Sequence, residues 1–119
     1  MALDRFVWMK KETVPGKDEV RAVLDEYLRG ILAEPLEWGG GRWYATLLGE
    51  PTNPASKCHV DRGLHVPPNE ALPEERRIEV FIGEDNIDVI TRRADELTNG
   101  IAQRLAEMLS RFYDGRLGV

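Results

Sequence analysis

The chain has 119 residues, 42% of them hydrophobic and 31% charged, with a formal net charge of −5. That length fits a single domain over 1–119, able to bury roughly two-thirds of its unfolded surface without a disulfide or a structural metal. The composition excludes a disordered chain, and the acidic balance argues against a protein that coats DNA or RNA, which needs an excess of Lys and Arg.

The first element expected is a strand over Arg5 to Lys10, where Phe6, Val7, Trp8 and Met9 form a short bulky apolar run. Thr13-Val14-Pro15-Gly16 breaks it. From Lys17 to about Ala33, Val20, Val23, Leu24, Tyr27, Leu28 and Ile31 recur at the helical spacing and make one apolar stripe. Asp18 and Glu19 suit the first turn of that helix, and Pro35 should stop it. Leu36 to Trp38, the three glycines Gly39 to Gly41, and Arg42 to Leu48 then read as a hairpin, with glycine supplying the positive φ angles of a tight turn.

The segment at about 49–75 is of another kind. It holds five of the seven prolines, Pro51, Pro54, Pro67, Pro68 and Pro73, and shows no period. Long irregular segments of this sort are uncommon in compact domains and often functional. Within it, Lys57 to Val66 has the makings of a small hairpin around Arg62-Gly63.

Arg77 to Ile82 and Ile87 to Thr91 flank a four-residue turn, Gly83-Glu84-Asp85-Asn86. A symmetric register pairs Ile82 with Ile87, Val80 with Val89 and Ile78 with Thr91, all on one face. The last element is a helix from about Arg93 to Tyr113, with Ala94, Leu97, Ile101, Leu105, Met108, Leu109 and Phe112 on one stripe and Gly115 as its stop. Ile90 is in phase with that stripe, so a start as early as Asn86 is the alternative; the β-branched alternation of Ile87, Val89 and Thr91 favours a strand.

The order β-α-β-β-loop-β-β-α gives an α+β fold. Two helices with one apolar stripe each need one face of a sheet, so the expected architecture is a two-layer sandwich with a mostly antiparallel sheet. Trp8 and Trp38 are assigned to the core.

Motifs that would define a chemistry are few. The triple glycine is followed by Arg42-Trp43 rather than Lys-Ser/Thr, so it is a turn and not a phosphate loop. Cys58, His59, Asp61 and His65 gather a thiol, two imidazoles and a carboxylate within eight residues, a donor set for zinc or for a thiol nucleophile with a histidine base. The adjacency of Cys58 and His59 is a poor spacing for two ligands of one ion, so an ordinary loop is preferred. Arg76, Arg77, Arg92 and Arg93 fall at the open end of the second hairpin, where like charges must be offset by Glu74, Glu75, Glu79, Asp95 or Glu96, or by an anionic ligand. Neutralisation by the local acids is the simpler answer. The other face of that hairpin carries Glu79, Phe81, Asp88 and Ile90, which Tyr44 or Trp43 joins depending on register; an apolar patch edged by acids suits a protein partner. The paired acids of the helices and turns read as solvated charge, because a catalytic pair needs one carboxyl desolvated.

The reading from sequence is therefore a small non-catalytic binding domain of the immunity, inhibitor or accessory-subunit type. It would use Tyr44, Glu79, Phe81, Asp88 and Ile90, need no cofactor, and suit a basic partner. The alternative is a small metalloprotein or thiol enzyme centred on Cys58, His59, Asp61 and His65. Self-association through the sheet face, giving a homodimer, is a further reading. The lone cysteine excludes an internal disulfide. With neither a leader-like start nor an apolar run near the length of a bilayer span, the expected location is the cytoplasm.

Overall fold

The computed structural model describes residues 2–48 and 75–118. Their elements are β1 (Ala2–Trp8), a 3-10 turn (Lys11–Thr13), α1 (Lys17–Tyr27), β2 (Glu37–Gly39), β3 (Arg42–Thr46), β4 (Arg77–Ile82), β5 (Asn86–Arg92), α2 (Glu96–Phe112) and β6 (Arg116–Gly118). The strands form one six-stranded sheet in the order β2-β3-β4-β5-β1-β6, antiparallel at every pairing. The fold is the expected α+β two-layer sandwich. No helix among the described residues is long and apolar enough to cross a membrane.

Alternation along the strands sorts side chains to two faces. Val7, Trp43, Ala45, Ile78, Val80, Ile87 and Val89 form one core with Val20, Leu24 and Leu28 of the α1 region and with Ala102, Leu105, Ala106 and Leu109 of α2. The β4–β5 register is the one expected: Ile78 faces Thr91, Val80 faces Val89 and Ile82 faces Ile87. Gly40 and Gly41, with φ of 60° and 79°, make the two-residue turn between β2 and β3 that needs positive φ at both central positions.

Several boundaries differ from expectation, each for a local reason. β1 lies slightly earlier than expected, at Ala2–Trp8. α1 ends at Tyr27, well before Pro35, because Gly30 at φ 82° turns the chain out of the helix. Ile31 to Ala33 then run back along the end of β3, with Leu48 N–H donating to the Ile31 carbonyl at 2.7 Å and Ala33 N–H to that of Thr46 at 2.8 Å. α2 starts at Glu96, because Arg93 at φ 52° breaks the chain direction and Asp95 caps the first turn, its Oδ1 accepting from Thr98 N–H at 2.7 Å.

Trp8 and Trp38 are not core residues: they are 37% and 38% exposed. Trp8 shares the parity of Phe6 and so points away from the helices, stacking on that ring at 5.3 Å between centroids. Trp38 lies on an edge strand opposite Trp43, and it is Trp43 that enters the core, donating its Nε1–H to the Lys17 carbonyl at 2.9 Å.

β6 is absent from the sequence reading because three residues carry no period. It pairs with β1, Val7 facing Leu117 and Trp8 facing Arg116. The residue that turns the chain left-handed after α2 is Asp114, at φ 52°, not Gly115. Gly115 instead permits a close approach of two backbones, since a Cβ there would lie 2.8 Å from Val7 Cγ1 and 2.9 Å from the Trp8 carbonyl oxygen. Gly115→Ala should therefore push β6 off β1 and cost about 1–3 kcal/mol, read as a lower urea midpoint.

Candidate functional site

The face turned away from the helices is built in cross-strand rows. One row runs Glu37, Tyr44, Glu79, Ile90, Asp4 across β2, β3, β4, β5 and β1. The next runs Gly39, Arg42, Phe81, Asp88, Phe6, Gly118. Thr46 faces Arg77 in a third, and Arg92 faces Ala2. Tyr44, not Trp43, therefore joins Glu79, Phe81, Asp88 and Ile90, and all five candidate partner-binding residues share this face. They are not equally open. Glu79, Ile90 and Asp88 are only 3%, 5% and 6% exposed, while Tyr44 and Phe81 are half-buried.

Glu79 organises one half of the face. Its Oε1 accepts from Arg42 NH1 at 2.9 Å and its Oε2 from Arg92 Nε at 2.7 Å, with Arg77 Nε 3.9 Å from Oε2. Burial alone would raise this carboxyl, but the hydrogen bonds from Arg92 and Arg42 and the charges of Arg92 and Arg77 outweigh it and hold the group below the ordinary carboxylate range. Arg77 also lies over the Tyr44 ring at 5.6 Å and Arg42 over that of Phe81 at 5.2 Å. Around this cluster opens a cleft of about 620 Å³ lined by Glu34, Glu37, Arg42, Tyr44, Thr46, Arg77, Glu79 and Arg92.

Asp88 organises the other half. It stands between Phe6 and Phe81 in its row, and its Oδ1 has no hydrogen-bond partner among the described residues. Burial, then a hydrogen bond and charge from Asp4, push its carboxyl up to about 7, against the opposing pull of the Arg5 amide and the Arg42 charge. The Asp4 carboxyl beside it and the aromatic rings around it both disfavour the Asp88 charge.

The four arginines expected at the open end of the hairpin do not act together. Arg77 and Arg92 turn to Glu79, whereas Arg76 lies on the other side of the strand and meets Asp95 Oδ2 at 3.2 Å, both side chains nearly fully buried. Arg93 is exposed at the bend before α2. Cys58, His59, Asp61 and His65, with the small hairpin expected at 57–66 and with Glu74, lie outside the described residues. No group of three or more metal-ligating side chains occurs among the described residues.

Two residues escaped the sequence reading. Arg42 sits at the end of a glycine turn, and only the β3–β4 register shows that it reaches Glu79. Arg5, on the helix side, is buried between sheet and α2, where its guanidinium donates to Gln103 Oε1 at 3.1 Å, Thr91 Oγ1 at 3.2 Å and Asn99 Oδ1 at 3.1 Å. Burial lowers its pKa, while the charges of Asp4 and Asp88 work in the other direction. Satisfied by neutral acceptors and closed off by α2, Arg5 ties the two layers together. The site thus belongs to an antiparallel α+β sandwich with helices on one face and a polar, aromatic surface on the other. Comparisons with family models, with curated proteins and with solved structures gave no match for this chain.

Proposed function

We propose that this chain is a small non-catalytic binding domain that docks a protein partner on the sheet face opposite its helices, in the manner of an immunity protein, inhibitor or accessory subunit acting in the cytoplasm. The observation that carries the reading is the chemistry of that face. Phe6, Trp8, Tyr44 and Phe81 lie there beside Arg42, Arg77 and Arg92. Aromatic residues and arginine are the types that dominate binding energy in protein interfaces, because they bury much area at little entropy cost and keep a polar handle. The net charge of −5 adds long-range steering toward a basic partner, which acts on encounter rate rather than on the contact itself.

The test is affinity capture from cells that make the protein, with wild type and Phe81→Glu as paired baits, followed by reconstitution of the captured protein in pure form. Phe81 is half-buried beside Arg42, so a carboxylate there breaks the aromatic row. A partner that binds wild type and loses about 30-fold or more with Phe81→Glu supports the reading, being the scale of a hot-spot residue. A partner held equally by both baits removes the face from consideration. A second copy of the chain, seen as a dimer that Phe81→Glu dissociates, would identify the partner as the protein itself. Turnover in a broad hydrolase screen, abolished by Cys58→Ala, would replace the binding reading with an enzymatic one.

A further inference from the structure

The cleft beside Glu79 sets the guanidinium groups of Arg42 and Arg92 on one buried acid. Arg42, Arg77 and Arg92 converge on a single carboxylate. Like charges on neighbouring strands of a sheet repel, and even with Arg77 left aside one carboxylate cannot neutralise both Arg42 and Arg92. Glu34 and Glu37 of the lining are exposed, and neither forms an ion pair with Arg42 or Arg92. Asp4 and Asp88 act on Arg92 and Arg42 through charge alone, without an ion-pair contact. Glu79 therefore acts as an internal anion that holds two guanidinium groups in place without exhausting them. It engages Arg42 through NH1 alone and Arg92 through Nε alone. The other N–H groups of both forks find no partner among the described residues. Arg92 is the more open of the two, its side chain 41% exposed against 24% for Arg42.

We propose that this cleft is an oxyanion-binding site, in which Arg42 and Arg92 receive a carboxylate or phosphate group beside Glu79. Forked, charge-assisted donors select oxyanions over spherical ions, because two parallel N–H groups match two oxygens of one group. Both guanidiniums are already fixed by Glu79, so little side-chain entropy is lost on binding. Tyr44 and Thr46 line the same cleft and give an incoming group an aromatic wall and a hydroxyl. At about 620 Å³ the cleft exceeds the need of a bare ion and suits an oxyanion carried on a larger body. That body is either a small free organic anion or an acidic side chain of a macromolecular partner. The inference deepens the docking reading of this face by naming a group the partner would present, yet it stands or falls by its own measurement.

The experiment is a titration of the full-length protein followed through the arginine Nε–Hε signals in 1H–15N spectra, assigned with Arg42→Gln and Arg92→Gln. The probes are inorganic phosphate, succinate and a short blocked peptide carrying two glutamates, with sodium chloride at matched ionic strength as the control. Saturable shifts of the Arg42 and Arg92 signals at millimolar phosphate or succinate are expected, with affinity falling at least about tenfold in Arg92→Gln. Arg104→Gln, on the exposed side of α2, should bind as wild type does. A tighter response to the peptide than to succinate assigns the oxyanion to a protein partner, and the reverse order assigns it to a free small anion. Shifts that chloride reproduces at equal ionic strength, or that persist unchanged in both arginine variants, overturn the proposal. Should both variants fail to fold, the wild-type titration against chloride decides alone. Loss of partner capture in Phe81→Glu without saturable anion binding would leave the docking reading standing and remove the oxyanion site.

Discussion

Asp95→Ala should destabilise the fold by about 4 kcal/mol, the sum expected when a helix cap and one partner of a buried ion pair vanish together. Asp95 makes a separate interaction with each of its two oxygens. Oδ1 accepts from the Thr98 N–H at 2.7 Å and so satisfies one of the donors left open at the start of α2. Oδ2 stands 3.2 Å from Arg76 Nε with both side chains nearly out of reach of water. Removing the carboxylate takes a charged neighbour from a guanidinium that is itself nearly fully buried, which is where most of the loss arises. Urea unfolding followed by far-ultraviolet circular dichroism measures it. Asp95→Asn separates the two contributions, since the amide oxygen can still cap but carries no charge, and it should fall between wild type and Asp95→Ala. A wild-type midpoint for Asp95→Ala would mean that neither the cap nor the ion pair supports the native state.

Asp88→Asn should act in the opposite direction and only at higher pH. The Asp88 carboxyl is held up at about 7 in the folded chain, chiefly by burial and then by Asp4. A carboxyl raised on folding binds its proton more tightly in the native state than in the unfolded chain, where it titrates near 4. Its contribution is therefore fully present below about pH 4 and is lost as pH rises through about 7. The groups that face it are Asp4 and Phe6 of β1 with the Arg5 amide, Phe81 of β4 and, through its charge, Arg42 of β3. Asparagine keeps the shape, cannot ionise, and can still hydrogen-bond Asp4 through its amide N–H. The variant should match wild type near pH 4 and exceed it by about 2–4 kcal/mol at pH 8. A difference that does not change with pH, or a variant less stable than wild type at pH 8, would show that Asp88 does not titrate as its surroundings dictate. Glu79 works with the other sign: held low by its arginines, it supports the fold at neutral pH and loses that contribution on acidification.

The legible and illegible parts of this molecule divide along local and non-local lines. The hairpin of β4 and β5 could be read to the residue, because a short turn and two β-branched strands leave one register that keeps Ile78, Val80 and Ile82 on a common face. The stripes of α1 and α2 identified part of what they bury, Val20 and Leu24 in one and Leu105 and Leu109 in the other. Ile31, Leu97 and Phe112 at the stripe ends are exposed, however, and α2 also buries Thr98, Ala102 and Ala106. Helix ends were harder. Single left-handed residues at Gly30, Arg93 and Asp114 decide them, and two of those three are not glycine. Trp8 and Trp38 misled for a related reason: a large aromatic residue announces burial, but strand parity and edge position decide which tryptophan is buried.

The candidate site shows the same division. Local sequence was enough to put Glu79, Phe81, Asp88 and Ile90 on one face, since alternation within a hairpin has a period of two. It was also enough for the two-layer class, since amphipathic helices and strands have few ways to bury one face each. The assembled sheet alone reveals that β1 lies between β5 and β6, placing Asp4 and Phe6 beside Asp88. It alone reveals that β3 pairs with β4, placing Arg42 on Glu79 across 37 residues of chain. Pairings between strands distant in sequence leave no periodic trace, because they are selected by the packing of the whole core rather than by the conformational preference of any one segment.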